Sequence, residues 1–97
     1  MRLRSNEKTL KEAIQDLVNS YRLKDKMQET RIVTGWEELM GKTIARCTQD
    51  VYLQRSTLVI CLTNATVRNE LLYSREKIKD MVNEFVGEEL VKEVVVR

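Results

Sequence analysis

The sequence predicts a two-layer α+β domain in which a three-stranded sheet is covered by helices on one face. Three observations lead to it. Apolar residues recur at helical spacing in several stretches, β-branched runs with a period of two form a pair near the middle and a single run at the end, and no composition shift divides the 97 residues. With 42% hydrophobic and 33% charged residues the chain lies in the ordinary globular range, so one thin core can offset the entropy of folding. Residues 1–97 are taken as one domain, with 1–24 as an N-terminal helix and 25–97 as the core.

Ser5 is the expected N-cap of the first helix, whose stripe is Leu10, Ile14, Leu17, Val18 and Tyr21. A second helix, starting near Lys26, carries Ile32, Trp36, Leu39 and Met40 on one face and stops at Gly41, while Gly35 inside it costs roughly 1 kcal/mol relative to alanine. The stretch Thr43 to Thr48 reads equally as one more helical turn or as a lead into strand. Val51–Gln54 and Thr57–Leu62 then form a hairpin around Arg55-Ser56, a turn without the favoured glycine. Leu58, Ile60 and Leu62 share one sheet face, where Val51 and Leu53 meet them. Asn64 caps a helix over Ala65–Tyr73 that contains Leu71, and Ile78, Met81, Val82, Phe85 and Val86 give a second stripe ending at Gly87; two helices or one kinked helix fit equally well. A valine-rich strand, Val91–Arg97, closes the chain. The expected core therefore includes Trp36, Leu39, Leu58, Ile60, Leu71, Ile78 and Phe85.

Composition removes several function classes. Histidine is absent, which takes away the commonest general base and the commonest zinc ligand, and Cys47 and Cys61 are too far apart for a metal or redox pair. No metal, no cofactor and no catalytic residue is expected; Glu70 has no second titratable group or nucleophile recognisably spaced near it. A net charge of +2 is too small for binding to nucleic acid by bulk charge. Arg2, Arg4, Lys8 and Lys11 make the start basic, and this reads as a solvated terminus. No apolar run has signal-peptide or membrane-span length, so no membrane association and a cytoplasmic location are expected.

Leaving out the first helix, the order α, β, β, α, α, β resembles that of the type II KH fold, in which a Gly-x-x-Gly loop between two core helices clamps phosphates. The matching junction here, Leu72 to Glu76, has no glycine, so the close backbone approach of that clamp is lost. The junction offers charge instead. Arg68, Arg75 and Lys79 fall at i, i+7 and i+11, on one side if the helices are nearly continuous, and with Arg55 of the hairpin they form a candidate basic ridge for phosphates. The alternative is a solvated helix face on which they pair with Glu76, Asp80 and Glu84.

Two further stretches carry a family resemblance: Trp36-Glu37-Glu38-Leu39-Met40-Gly41 followed by Ile44-Ala45, and Thr63 to Leu71 with its Glu70-Leu71 pair. Together with the glycine-terminated helix and the valine-rich last strand, this ordered set is similar to the DciA family, from about Ile32 to Arg97. The resemblance implies a KH-like domain without the glycine clamp. It also implies a non-enzymatic accessory factor that binds single-stranded or forked DNA and the bacterial replicative DNA helicase, and assists loading of that helicase in DNA replication. Longer members carry a disordered C-terminal extension, and a short form without that tail is the expectation here. The competing reading is an interaction module that forms a homodimer through the open sheet face, where Tyr52, Val59 and Cys61 point, without touching nucleic acid.

Overall fold

The computed structural model describes residues 9–97 of the chain; the expected cap at Ser5 and the basic residues Arg2, Arg4 and Lys8 lie outside them. Helix α1 runs Leu10–Thr34, α2 Trp36–Met40 and α3 Lys42–Cys47; strands β1 (Thr48–Gln54) and β2 (Thr57–Leu62) follow, then α4 (Ala65–Tyr73), α5 (Arg75–Val86) and β3 (Glu93–Val96). The sheet order is β1-β2-β3, with β1 antiparallel and β3 parallel to the central β2. This α+β order and mixed three-stranded sheet are consistent with a KH-like fold.

The break between the first two helices falls at Gly35 and not near Lys26. Thr9 caps α1, its Oγ1 accepting from the Glu12 N–H at 3.1 Å, and the helix continues through Arg22 to Lys26, where neither glycine nor proline interrupts a run of mostly good helix formers. It ends at Gly35, where packing leaves no room for a side chain. A Cβ there would stand 2.6 Å from Phe85 Cζ, so the helix can lie against the ring only because position 35 has no side chain. Gly41 has φ 86°, a conformation that favours glycine, and turns α2 into α3. The ambiguous Thr43–Thr48 stretch is thus helical up to Cys47. Thr48 then joins helix to strand, its hydroxyl donating to the Ile44 carbonyl at 2.7 Å and accepting from Trp36 Nε1 at 2.9 Å.

The hairpin register pairs Val51 with Ile60 and Leu53 with Leu58. This puts Val51, Leu58, Ile60 and Leu62 on the face that packs with Ile32, Trp36, Leu71, Ile78, Val82, Val91 and Val94. Leu39 and Phe85 are half-buried at the rim of this cluster. Tyr52, Val59 and Cys61 do face the other way, but Val59 is only 2% exposed. It stands on the central strand with Tyr52 and Val95 as its register partners on either side. The open face expected there therefore offers less apolar surface than an exposed valine would.

β3 begins later than the valine run suggests. Asn83 of α5 reaches across to Val91, accepting from its N–H at 2.8 Å and donating to its carbonyl at 2.9 Å. These two bonds satisfy the backbone that a longer strand would have used in the ladder. At the other end, Gly87 takes φ 79° in the left-handed region and stops α5.

Candidate nucleic-acid interface

The junction between α4 and α5 is a single residue, Ser74. Asn64 starts α4 by accepting from the N–H groups of Thr66 and Val67, and Leu71 fixes the helix on the core. This leaves Tyr73, the last residue of α4, 92% exposed. Arg75 Nε donates to the Leu72 carbonyl at 3.0 Å, closing one of the free carbonyls at the end of α4. Around this corner lies a shallow cleft of about 350 Å³, lined by Leu72, Tyr73, Arg75, Glu76, Lys79, Lys92, Glu93 and Val94.

Three cations and two carboxylates share that cleft. Lys79 is paired with Glu76 at 2.9 Å, and its pKa is raised above the ordinary lysine value chiefly by this hydrogen bond. Lys79 therefore stays charged over the whole physiological range. Glu76 is exposed and Lys79 half-buried, and an ion pair that solvent reaches is worth little.

Of the residues singled out in the sequence, Arg75 and Lys79 come together in this cleft. Arg68 does not join them. The break at Ser74 destroys the continuous register that would have aligned it, and its Nη2 instead donates to the Leu62 carbonyl at the end of β2, at 3.0 Å. Its Nε is buried without a protein partner, and the half-buried side chain ties α4 to the end of β2. Arg55 lies on the hairpin with φ 58°, beside a separate hollow formed with Arg22, Asp25, Lys26, Glu29 and Leu53. It is nevertheless close in the chain to the cleft. The carbonyl of the next residue, Ser56, accepts from the N–H groups of Lys92 and Glu93 at 2.8 and 3.3 Å, so hairpin, start of β3 and helix junction gather at one end of the sheet.

Sequence reasoning missed Tyr73 and Lys92. An aromatic residue closing a helix immediately before Ser-Arg was a usable signal for the first. Lys92 was hidden because the valine run around it suggested an ordinary strand position, whereas the Asn83 bonds hold Val91 outside the ladder.

Among the described residues no group of three acidic or cysteine side chains is placed to hold a metal ion, and no helix is long and apolar enough to cross a membrane. Fold and junction are consistent with a KH-like α+β domain, and its α4–α5 junction presents aromatic and basic side chains and no glycine. The family model described as Dna[CI] antecedent, DciA matches residues 9–96, and the chain belongs to the DciA family. Its role accordingly lies in loading of the replicative helicase, the function of that family of accessory factors. No curated protein and no solved structure gives a significant match to the chain.

Proposed function

We propose that the chain is a non-enzymatic accessory factor that grips single-stranded or forked DNA at the α4–α5 corner while it engages the replicative helicase in the bacterial cytoplasm. The observation that supports this most strongly is Tyr73, 92% exposed beside a cleft carrying Arg75, Lys79 and Lys92. An exposed aromatic ring next to cations suits a base stacked on the ring with its phosphates held by the basic side chains, which favours single strands over duplex. Side chains thereby supply what the absent glycine loop would have supplied through backbone donors. Arg55 and Lys92, on either side of the Ser56 turn, would extend the track toward the hairpin.

The test is a titration of fluorescent single-stranded DNA at several salt concentrations. Tyr73→Ala should weaken binding by roughly 1–3 kcal/mol with little change in salt dependence. The double change Arg75→Glu, Lys92→Glu should weaken binding and lower the salt slope by about 1 for each cation lost. All three residues are on the surface, so the thermal melt should stay close to that of the parent protein. Folded variants that bind DNA with unchanged affinity and slope would remove the corner from the mechanism. Retention of the chain by the purified helicase, measured separately, reports on the helicase contact whatever the DNA result.

A further inference from the structure

The N-terminal half of α1 carries an apolar stripe that none of the other described residues covers. Leu10, Ile14, Leu17, Val18 and Tyr21 recur on the same helix face as Gln28 and Ile32, which are buried against the domain. Yet Leu10 is 78% exposed and Tyr21 61%. The bonds that tie α1 to the domain are made further along. Lys24 and Gln28 reach Glu88, Glu29 accepts from the Leu53 N–H, and Arg31 donates to the Phe85 and Val86 carbonyls. The stripe simply runs off the end of the domain, over about three turns of helix.

We propose that this overhang is the seat of a second copy of the chain, with the two α1 helices packed antiparallel so that Leu10 of each lies opposite Tyr21 of the other and Ile14 opposite Leu17. Length and charge select this arrangement. In that register every stripe residue at the seam meets an apolar one, and Leu10 at the start of each α1 reaches Tyr21 of the other, ahead of the Lys24 and Gln28 that tie that helix to its own domain. Parallel pairing would set the two Lys24 side chains together and drive both domains into the space beside Gln28. The positions flanking the seam are nearly uncharged, being Ala13, Val18 and Ser20 with Lys11 alone carrying charge, so self-pairing opposes no like charges along it. Five apolar side chains from each copy remove on the order of 1,000 Å² from water. This sits at the low end of specific interfaces, which fits a dimer that forms reversibly at high protein concentration. The inference is independent of the DNA-binding corner, which lies on other elements.

The measurement is sedimentation equilibrium of the whole chain from about 1 to several hundred μM, a range in which weak association follows mass action. The molecular mass should climb from one copy toward two, and Leu17→Glu should hold it at one copy with the Trp36 fluorescence melt of the core preserved. Orientation is read from a mixture. Leu10→Glu and Tyr21→Lys should each pair poorly alone, and mixed they should associate several-fold more tightly, because only antiparallel helices bring positions 10 and 21 into contact. A parent protein that stays monomeric throughout would overturn the proposal, as would a Leu17→Glu variant that still dimerises. A monomeric parent whose retention by the helicase is abolished by Leu17→Glu would reassign the stripe to that partner, and equally end the proposal. If the mixture associates no better than its components, the antiparallel register is wrong.

Discussion

Trp36 fills the corner where α1, α2 and the first strand meet, and both its ring and its polar end are engaged there. It is 5% exposed, and its Nε1 donates to Thr48 Oγ1 at 2.9 Å, the same hydroxyl that closes the end of α3. Trp36→Ala should cost roughly 3–5 kcal/mol, the usual range for truncating a buried large aromatic. Trp36→Phe keeps much of the volume and forfeits the hydrogen bond, so about 1 kcal/mol of the cost should belong to the Thr48 contact. Urea denaturation of both variants separates the two contributions; equal midpoints for Trp36→Phe and the parent would show that the indole N–H adds nothing. At the same scale, Arg68 shows how a cation suited by spacing to a ligand can be used up inside the molecule, on the carbonyl at the end of β2.

Helix junctions in this protein are set by contacts as much as by propensity. At the α1–α2 break Phe85 of α5 occupies the place that a side chain at Gly35 would take, and Arg31 lies over the same ring with its guanidinium carbon 5.6 Å from the centroid. Gly35→Ala would raise helix propensity by roughly 1 kcal/mol, yet a Cβ 2.6 Å from Phe85 Cζ forces the ring or the helix to move. Overpacking of this sort typically costs about 1–3 kcal/mol, so the net effect should be destabilising. The double variant Gly35→Ala, Phe85→Leu should recover part of the loss. A Gly35→Ala protein that melts at or above the parent temperature would mean that the close approach is easily relieved. The α4–α5 junction follows the same logic: α4 is held by Leu71 and Arg68, α5 by Ile78 and Val82, and Ser74 absorbs the change of direction between them.

Across the whole molecule, acidic side chains fasten the long helix to the rest. Glu29 accepts from the Leu53 N–H at 2.9 Å; burial pushes its pKa up, but that backbone bond and the neighbouring Lys26 outweigh it, so its carboxyl titrates below the ordinary value. Glu88 is likewise held low by hydrogen bonds from Lys24 and Gln28. A carboxylate whose pKa is depressed by folding contributes stability that is fully present above its unfolded value and is lost as the pH falls through the folded one. The domain should accordingly lose stability below about pH 5. Glu29→Gln should lower stability at neutral pH by roughly 1 kcal/mol and make the acid limb shallower. Urea midpoints taken across the acid range check this, and an acid limb identical in variant and parent would mean that Glu29 is not among the groups responsible.

Periodicity, caps and composition determined the fold class, the strand pair, the Asn64 and Gly87 helix boundaries and the absence of histidine chemistry, because each rests on interactions between residues close in the chain. The family, too, was legible in short ordered stretches from Trp36 to Leu71, where packing positions repeat in a set order. Tertiary structure decided the rest. It moved the break between the first two helices to Gly35, buried Val59 on the central strand, drew Arg68 inward to Leu62, held Val91 out of the sheet through Asn83, and left Tyr73 standing beside Arg75, Lys79 and Lys92. Each of these turns on a partner tens of residues away or on the shape of the sheet, and a one-dimensional pattern contains neither. The same holds for α1: its stripe was plain in the sequence, but only the packed domain showed that the stripe extends beyond the described residues that α1 packs against.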